Sequence, residues 1–122
     1  MAKIICNSIE FAFLSEIRLQ VLDNVILKTG YDWKKLNVKE KPVYRSEINQ
    51  ADAGPVAEVS VTAVTDSDPD AILKQFSSFP IVLRMKTDKA TFYVGSQEYP
   101  VITEISDDKI FDNYSFKCKS SV

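Results

Sequence analysis

The chain has 122 residues, 45% of them hydrophobic and 26% charged, with a formal net charge of −2, two cysteines and no histidine. That length suits one domain, 1–122, with a real core, and the composition is too apolar and too evenly charged for a disordered chain. A pI near 5.1 is far from the basic balance of a nucleic-acid binder, typically above ~9. The lack of histidine removes the commonest general base and zinc ligand, and it excludes Ser-His-Asp and Cys-His catalysis within a single chain.

The first apolar run stops at Cys6, short of the ~7–15 residues of a signal-peptide core. No run approaches the ~18 apolar residues that would span a bilayer. The expectation is a chain made in the cytoplasm, with no membrane partner and with reduced thiols. Cys6 and Cys118 both fall in apolar, strand-like surroundings and read as small buried hydrophobes. They face each other only if the terminal strands pair.

Residues 3–14 place Ile5, Ile9, Phe11 and Phe13 on one parity with Glu10 on the other. This is a half-buried strand, interrupted near Asn7-Ser8. Ser15-Glu16 reads as a turn. Ile17, Leu19 and Val21 then alternate with Arg18 and Gln20, so the two runs are expected to form a hairpin. A helix over 14–22 competes, because Leu, Glu, Arg and Gln favour helix. Asp23-Asn24 is a turn signal, and Val25-Ile26-Leu27 is a short apolar run ended by Gly30. Lys34-Lys35, Lys39 and Lys41 read as a solvated loop. Within that loop Trp33 either pins the segment to the core or serves, with Tyr31, as an aromatic contact residue. On the contact reading, Trp33→Ala changes self-association more than folding.

Residues 43–48 are strand-like with one polar face, and 49–55 form a loop by composition. Over 56–64, Ala57, Val59, Val61 and Ala63 alternate with Glu58, Ser60 and Thr62. One face is expected in the core and one in water, as in antiparallel sheets. Asp66, Asp68 and Asp70 alternate as in a calcium loop, but Ala71 and Ser77 stand where an EF-hand needs Gly and Glu. The stronger reading is a helix start, with Asp68 as N-cap, Pro69 at N1 and a helix to Phe76, about 69–77. Its buried face would carry Ile72, Leu73 and Phe76. Ile81, Leu83 and Met85 pair in a hairpin with Phe92 and Val94, and Gly95 turns the chain with positive φ. Tyr99, Val101, Thr103 and Ile105 share a face of the next strand, which Pro100 marks as beginning at an edge. Tyr114, Phe116 and Cys118 share a face of the last strand, ahead of a frayed tail over 119–122. Strand signals every 8–12 residues predict a mainly β fold, an antiparallel sandwich or barrel with one short helix over an open end.

Little catalytic material remains. Glu47 with Asp52, or Asp66 with Asp68, would be the only acid pairs for glycosidase-type chemistry, and Gly95-Ser96 lacks the flanking glycines of a nucleophile elbow. The expectation is no enzyme, no catalytic residue, no metal and no cofactor.

Three segments carry a resemblance. V-Y-R-S-E-I-N-Q-A-D-A-G-P-V-A-E-V-S-V-T-A (Val43–Ala63) is followed by a short helix, Ala71–Phe76. An apolar strand, Pro80–Met85, then leads into F-Y-V-G-S-Q-E-Y-P-V (Phe92–Val101). This order resembles small β-rich structural proteins encoded in the tail-module regions of prophages from Gram-negative gut anaerobes, over roughly residues 37–118. The hairpin turn reads T-D-K-A here rather than a D-x-N-G-like sequence. The resemblance implies a role in assembly, possible incorporation in a virion, and partners that are further copies or other phage structural proteins. It carries no functional residues. The candidate contact residues are Tyr31, Trp33, Tyr44, Tyr93 and Tyr99, and the 43–48 strand is a candidate for addition to a neighbour's sheet. The alternative is a small ligand- or peptide-binding β module with its site in a barrel mouth.

Overall fold

The structure, a computed structural model, describes residues 2–21, 24–51 and 54–121. Alternation along β7 (Gly54–Asp66) organises it. Val59, Val61 and Ala63 are buried, while Glu58 and Thr62 on the other parity are exposed. One face of a pleated strand thus enters the core and the other stays in water. β7 is the middle of a five-stranded antiparallel sheet. Its order is β1 (Ala2–Ile5), β6 (Val43–Ala51), β7, β11 (Phe111–Ser121) and β10 (Ile102–Asp107). A four-stranded sheet faces it, ordered β5 (Lys34–Lys35), β2 (Ser8–Phe13), β8 (Ile81–Lys86) and β9 (Thr91–Val94). Val59, Val61, Tyr114 and Phe116 from the first sheet meet Ile9, Phe11, Leu83 and Met85 from the second. The sheets stay separate and keep open edges, so the fold is a sandwich and not a closed barrel.

A third layer lies outside the four-stranded sheet. It is a ribbon of β3 (Ile17–Val21) and β4 (Asn24–Leu27). Ile17 and Val25 close over Val82, which points away from the main core and is fully buried. That explains the unbroken apolar run Ile81-Val82-Leu83. At that end β8 is covered on both faces, so polar residues return to its outer face only at Arg84 and Lys86.

Several expectations change. β2 does not pair with β3. It pairs with β8 and β5, and β3 pairs with β4. Between β2 and β3 the chain makes a 3-10 turn, Leu14–Glu16, and no longer helix. The turn is held by Glu16 Oε1, which accepts from Phe13 N at 3.0 Å. Ile5 is exposed although it shares the parity of Ile9, because the break at Cys6-Asn7 moves the chain from one sheet to the other. Lys34-Lys35 form strand β5 and not a free loop, and Lys34 reaches Glu16 at 2.8 Å. The loop expected over 49–55 is mostly strand, since β6 and β7 pair as far as Ala51↔Gly54. Asp23 and Asp52 lie outside the described residues. Within the 43–48 stretch, Val43–Ser46 is no sheet edge, because β1 pairs along it. The expected frayed tail is ordered strand up to Ser121, paired with Val56. β1 and β11 are separated by β6 and β7, so the terminal strands do not pair, and Cys6 and Cys118 are both free.

The helix is shorter than 69–77. α1 spans Ile72–Gln75, with Ala71 in the N-cap place. Asp68 caps a preceding turn instead, its Oδ1 accepting from Asp70 N at 2.9 Å. The reason is a long-range contact. Asp112 Oδ2 accepts from Asp68 N at 3.1 Å and ties Asp68 to β11. A single turn offers the core one residue, Leu73, and leaves Ile72 and Phe76 exposed. The fully buried Asp112 also lies 2.8 Å from Lys74 Nζ, which fastens α1 to the sheet.

The hairpin β8–β9 forms as expected, with Lys86↔Thr91 as its last pair. Val101 then bridges to Ile81 in the four-stranded sheet before β10 joins the other one. Gly95 makes this crossing possible. Its φ is +94°, and a Cβ there would meet Val101 Cγ2 at 2.7 Å. Gly95→Ala is therefore expected to lower stability by about 1–3 kcal/mol, through the left-handed backbone and the clash with Val101. The urea-unfolding midpoint checks this, and an unchanged midpoint would contradict it.

Candidate functional site

Two surface features stand out, at α1 and beside the loop that follows Gly95. Next to α1, Phe13 carries Phe76 and Phe79 edge-to-face, with ring centroids 6.0 and 6.5 Å away. Phe76 and Phe79 are 42% and 54% exposed, and Ile72 on the same short helix is 43% exposed. The aromatic cluster is thus only half covered.

Beside the Gly95 loop, the inner row Ser46–Val59–Cys118 runs across β6, β7 and β11. Tyr44, Tyr93 and Tyr99 line a cavity of about 200 Å³ there, with Gly95 and Cys118. A larger groove of about 680 Å³ adjoins it and shares Val59, Tyr99, Cys118 and Lys119. Its rim carries Arg45, Lys117 and Lys119 together with Glu47, Glu58 and Glu98. Burial pushes the Cys118 thiol up to about 11, and burial raises Cys6 as well. Both thiols are protonated at neutral pH and are poor nucleophiles.

Of the five candidate contact residues, Tyr44, Tyr93 and Tyr99 come together at the small cavity. Trp33 lies against Tyr93, with ring centroids 5.7 Å apart, and the Arg84 guanidinium sits 4.9 Å over the Trp33 ring. Trp33 is half-buried and packs on the cluster beneath the β3–β4 ribbon. Tyr31 is half exposed on the preceding loop and lines neither cavity. Sequence reasoning missed Ile72, Phe76 and Phe79, which it placed in a longer helix or left unassigned. It also missed the buried Asp112, for which the parity shared with Tyr114 and Phe116 was a usable signal.

Glu10 is the charged centre of the outer face of β2 and β8. Arg84 Nη2 donates to its Oε2 at 2.6 Å, and Lys86 Nζ lies 3.2 Å from Oε1. Burial pushes this carboxyl up, but the hydrogen bonds from Arg84 and Lys86 outweigh it and leave the group below its ordinary 4.5. At the β10–β11 turn, the backbone N–H of Lys109 holds Asp107 low, and those of Phe111 and Ile110 do the same for Asp108. No group of three or more His, Cys, Asp or Glu able to hold a metal ion occurs among the described residues. None of the described helices is long and apolar enough to cross a membrane. Compared with family models, curated proteins and solved structures, the chain matches none.

Two outcomes follow from these contacts. Trp33→Ala is expected to lower stability by about 1–3 kcal/mol, through the lost cation–π contact and lost packing, read as a shift in the urea midpoint. Carboxyls depressed in the folded state contribute stability that is present above their unfolded values and is lost as pH falls through the folded ones. The urea midpoint should therefore drop as pH falls below about 4.5, with a shallower drop in Glu10→Gln. An equal drop in both proteins would remove Glu10 from the account.

Proposed function

We propose that the chain is a non-enzymatic structural or tail-assembly component of a prophage. On this reading it is made in the cytoplasm, incorporated in the particle, and acts through protein–protein contacts with further copies of itself or with other structural proteins. The observation that carries the reading is the aromatic patch beside α1. Ile72, Phe76 and Phe79 leave large apolar surface in water next to Phe13. Contiguous apolar surface of this kind marks contact sites, because burying it against a partner removes it from water. The motif order from Val43 to Val101 supports the phage context.

The groove at Tyr99 and Cys118 favours a second reading, a ligand- or peptide-binding β module. Its volume of about 680 Å³ falls in the ~300–1,000 Å³ range of ligand sites.

Light scattering after size exclusion, over a range of concentrations, separates the two. The assembly reading expects a mass above the monomer that rises with concentration. It also expects Phe79→Ser to reduce that mass while the circular dichroism spectrum stays that of the parent. A monomer at every concentration would overturn self-assembly and leave either docking to other structural proteins or the binding module.

A further inference from the structure

β11 is longer than its neighbour on one side. It pairs with β7 from Phe111↔Asp66 to Ser121↔Val56. Its pairing with β10 begins only at Ile102↔Lys117. Along Cys118–Ser121 the edge of β11 toward β10 meets no described strand. The cause is the crossing at Val101. That residue exchanges hydrogen bonds with Ile81 at 2.9 and 3.2 Å, which draws the chain ahead of β10 to the other sheet. A groove opens at this edge, lined by Glu98–Pro100 and Ile102 on one side and by Lys117–Lys119 on the other, and it reaches on across Glu58–Ser60 of β7 to Arg45–Glu47 of β6.

We propose that this notch takes an extended peptide segment of a partner protein, added to the free edge of β11 in line with β10. The inference rests on the reading of the chain as one that acts through protein contacts, and it names one such contact. An open strand edge offers main-chain donors and acceptors to an incoming strand, and alternate side chains then supply selectivity. The partner residue opposite Cys118 points inward, toward the cavity lined by Tyr44 and Tyr99, and should be apolar. The partner residue opposite Lys119 points outward. Lys119 lies on the strand it would pair with, so an acidic side chain fits there; its same-face neighbour Lys117 is already matched by Glu104 of β10 at 3.8 Å. Glu98 lines the groove from the loop side and Glu58 lies across from Lys119 on β7, which confines the acidic position to the β11 side. The outer edge of β10 is less suited. It carries the exposed Glu104 and Asp107, and charges of this kind blunt an edge.

The probe is a short acetylated peptide of alternating Val and Glu, labelled with fluorescein and titrated with the full chain, with anisotropy as the readout. Saturable binding is expected, together with slower amide exchange within 118–121. Lys119→Glu should weaken it about five- to tenfold, the scale of turning an attractive cross-strand pair into a repulsive one. Lys119 is exposed, but a Glu there would face Glu58 on β7, so Lys119→Gln, which adds no like-charge pair, is run beside it and should weaken binding in the same direction. A peptide N-methylated at alternate amides should not bind. Absence of saturable binding, equal binding of the methylated peptide, or unchanged exchange at 118–121 would each overturn the proposal. So would protection of 118–121 that grows with protein concentration and blocks the peptide, because a second copy would then occupy the edge. Peptide binding by a strictly monomeric chain would keep the notch and remove self-assembly. An oligomer that ignores the peptide would do the reverse.

Discussion

β8 is buried on both faces, and the rest of the molecule is arranged to cover it. Ile81, Leu83 and Met85 enter the main core with no exposed surface, and Val82 is equally buried on the opposite side. Each such side chain contributes about 1.5–3 kcal/mol when removed from water, so neither face can stay open. The five-stranded sheet closes one face. The β3–β4 ribbon and Trp33 close the other. The strand's two polar residues on the outer face both meet Glu10: Arg84 is also covered by the Trp33 ring, and Lys86 lies at the open end of the strand.

The buried and half-buried charges do related work at the margins of the core. Asp112 sits in a fully buried position and is met by Lys74 and by the backbone of Asp68. Removing one partner would strand a charge, which is the costly way to break such a pair. That contact decides where the chain leaves β7, how short α1 is, and which of its side chains reach water. Glu16 acts similarly. It satisfies Phe13 N and pairs with Lys34, so the end of β2, the turn to β3 and the short strand β5 are tied at one carboxylate.

Covering both faces of β8 also leaves parts of the surface open. Val101 crosses to Ile81, which completes the core beside Gly95 but leaves Cys118–Ser121 of β11 with no described strand on one side. Shortening α1 has a comparable effect, since Phe76 and Phe79 rest on Phe13 without being enclosed. Both open surfaces, a strand edge and an aromatic patch, are by-products of packing elsewhere.

Much of the local structure was legible in the sequence. Alternation alone identified the buried faces of β7, β8, β10 and β11, the β8–β9 hairpin and the positive φ at Gly95, because a period of two and a glycine turn are properties of neighbouring residues. The aromatic residues could be named but not placed. Trp33 and Tyr93 lie against each other with their rings tilted by 34° while Tyr31 stands apart, although Tyr31 and Trp33 are close in the chain. Strand partners were not legible either: β2 with β8, β1 with β6, and β3 with β4 are chosen by which faces remain to be covered. The sequence by itself determined the central strands and the apolar side of β7, β8, β10 and β11, because that is written in local periodicity, whereas the strand at Lys34-Lys35 and the strand ends at 49–51, 54–55 and 119–121 carry no such pattern. Tertiary structure alone decided the sheet order, the length of α1 and the free edge of β11, because these follow from contacts between residues far apart in the chain, such as Asp68 with Asp112 and Ile81 with Val101.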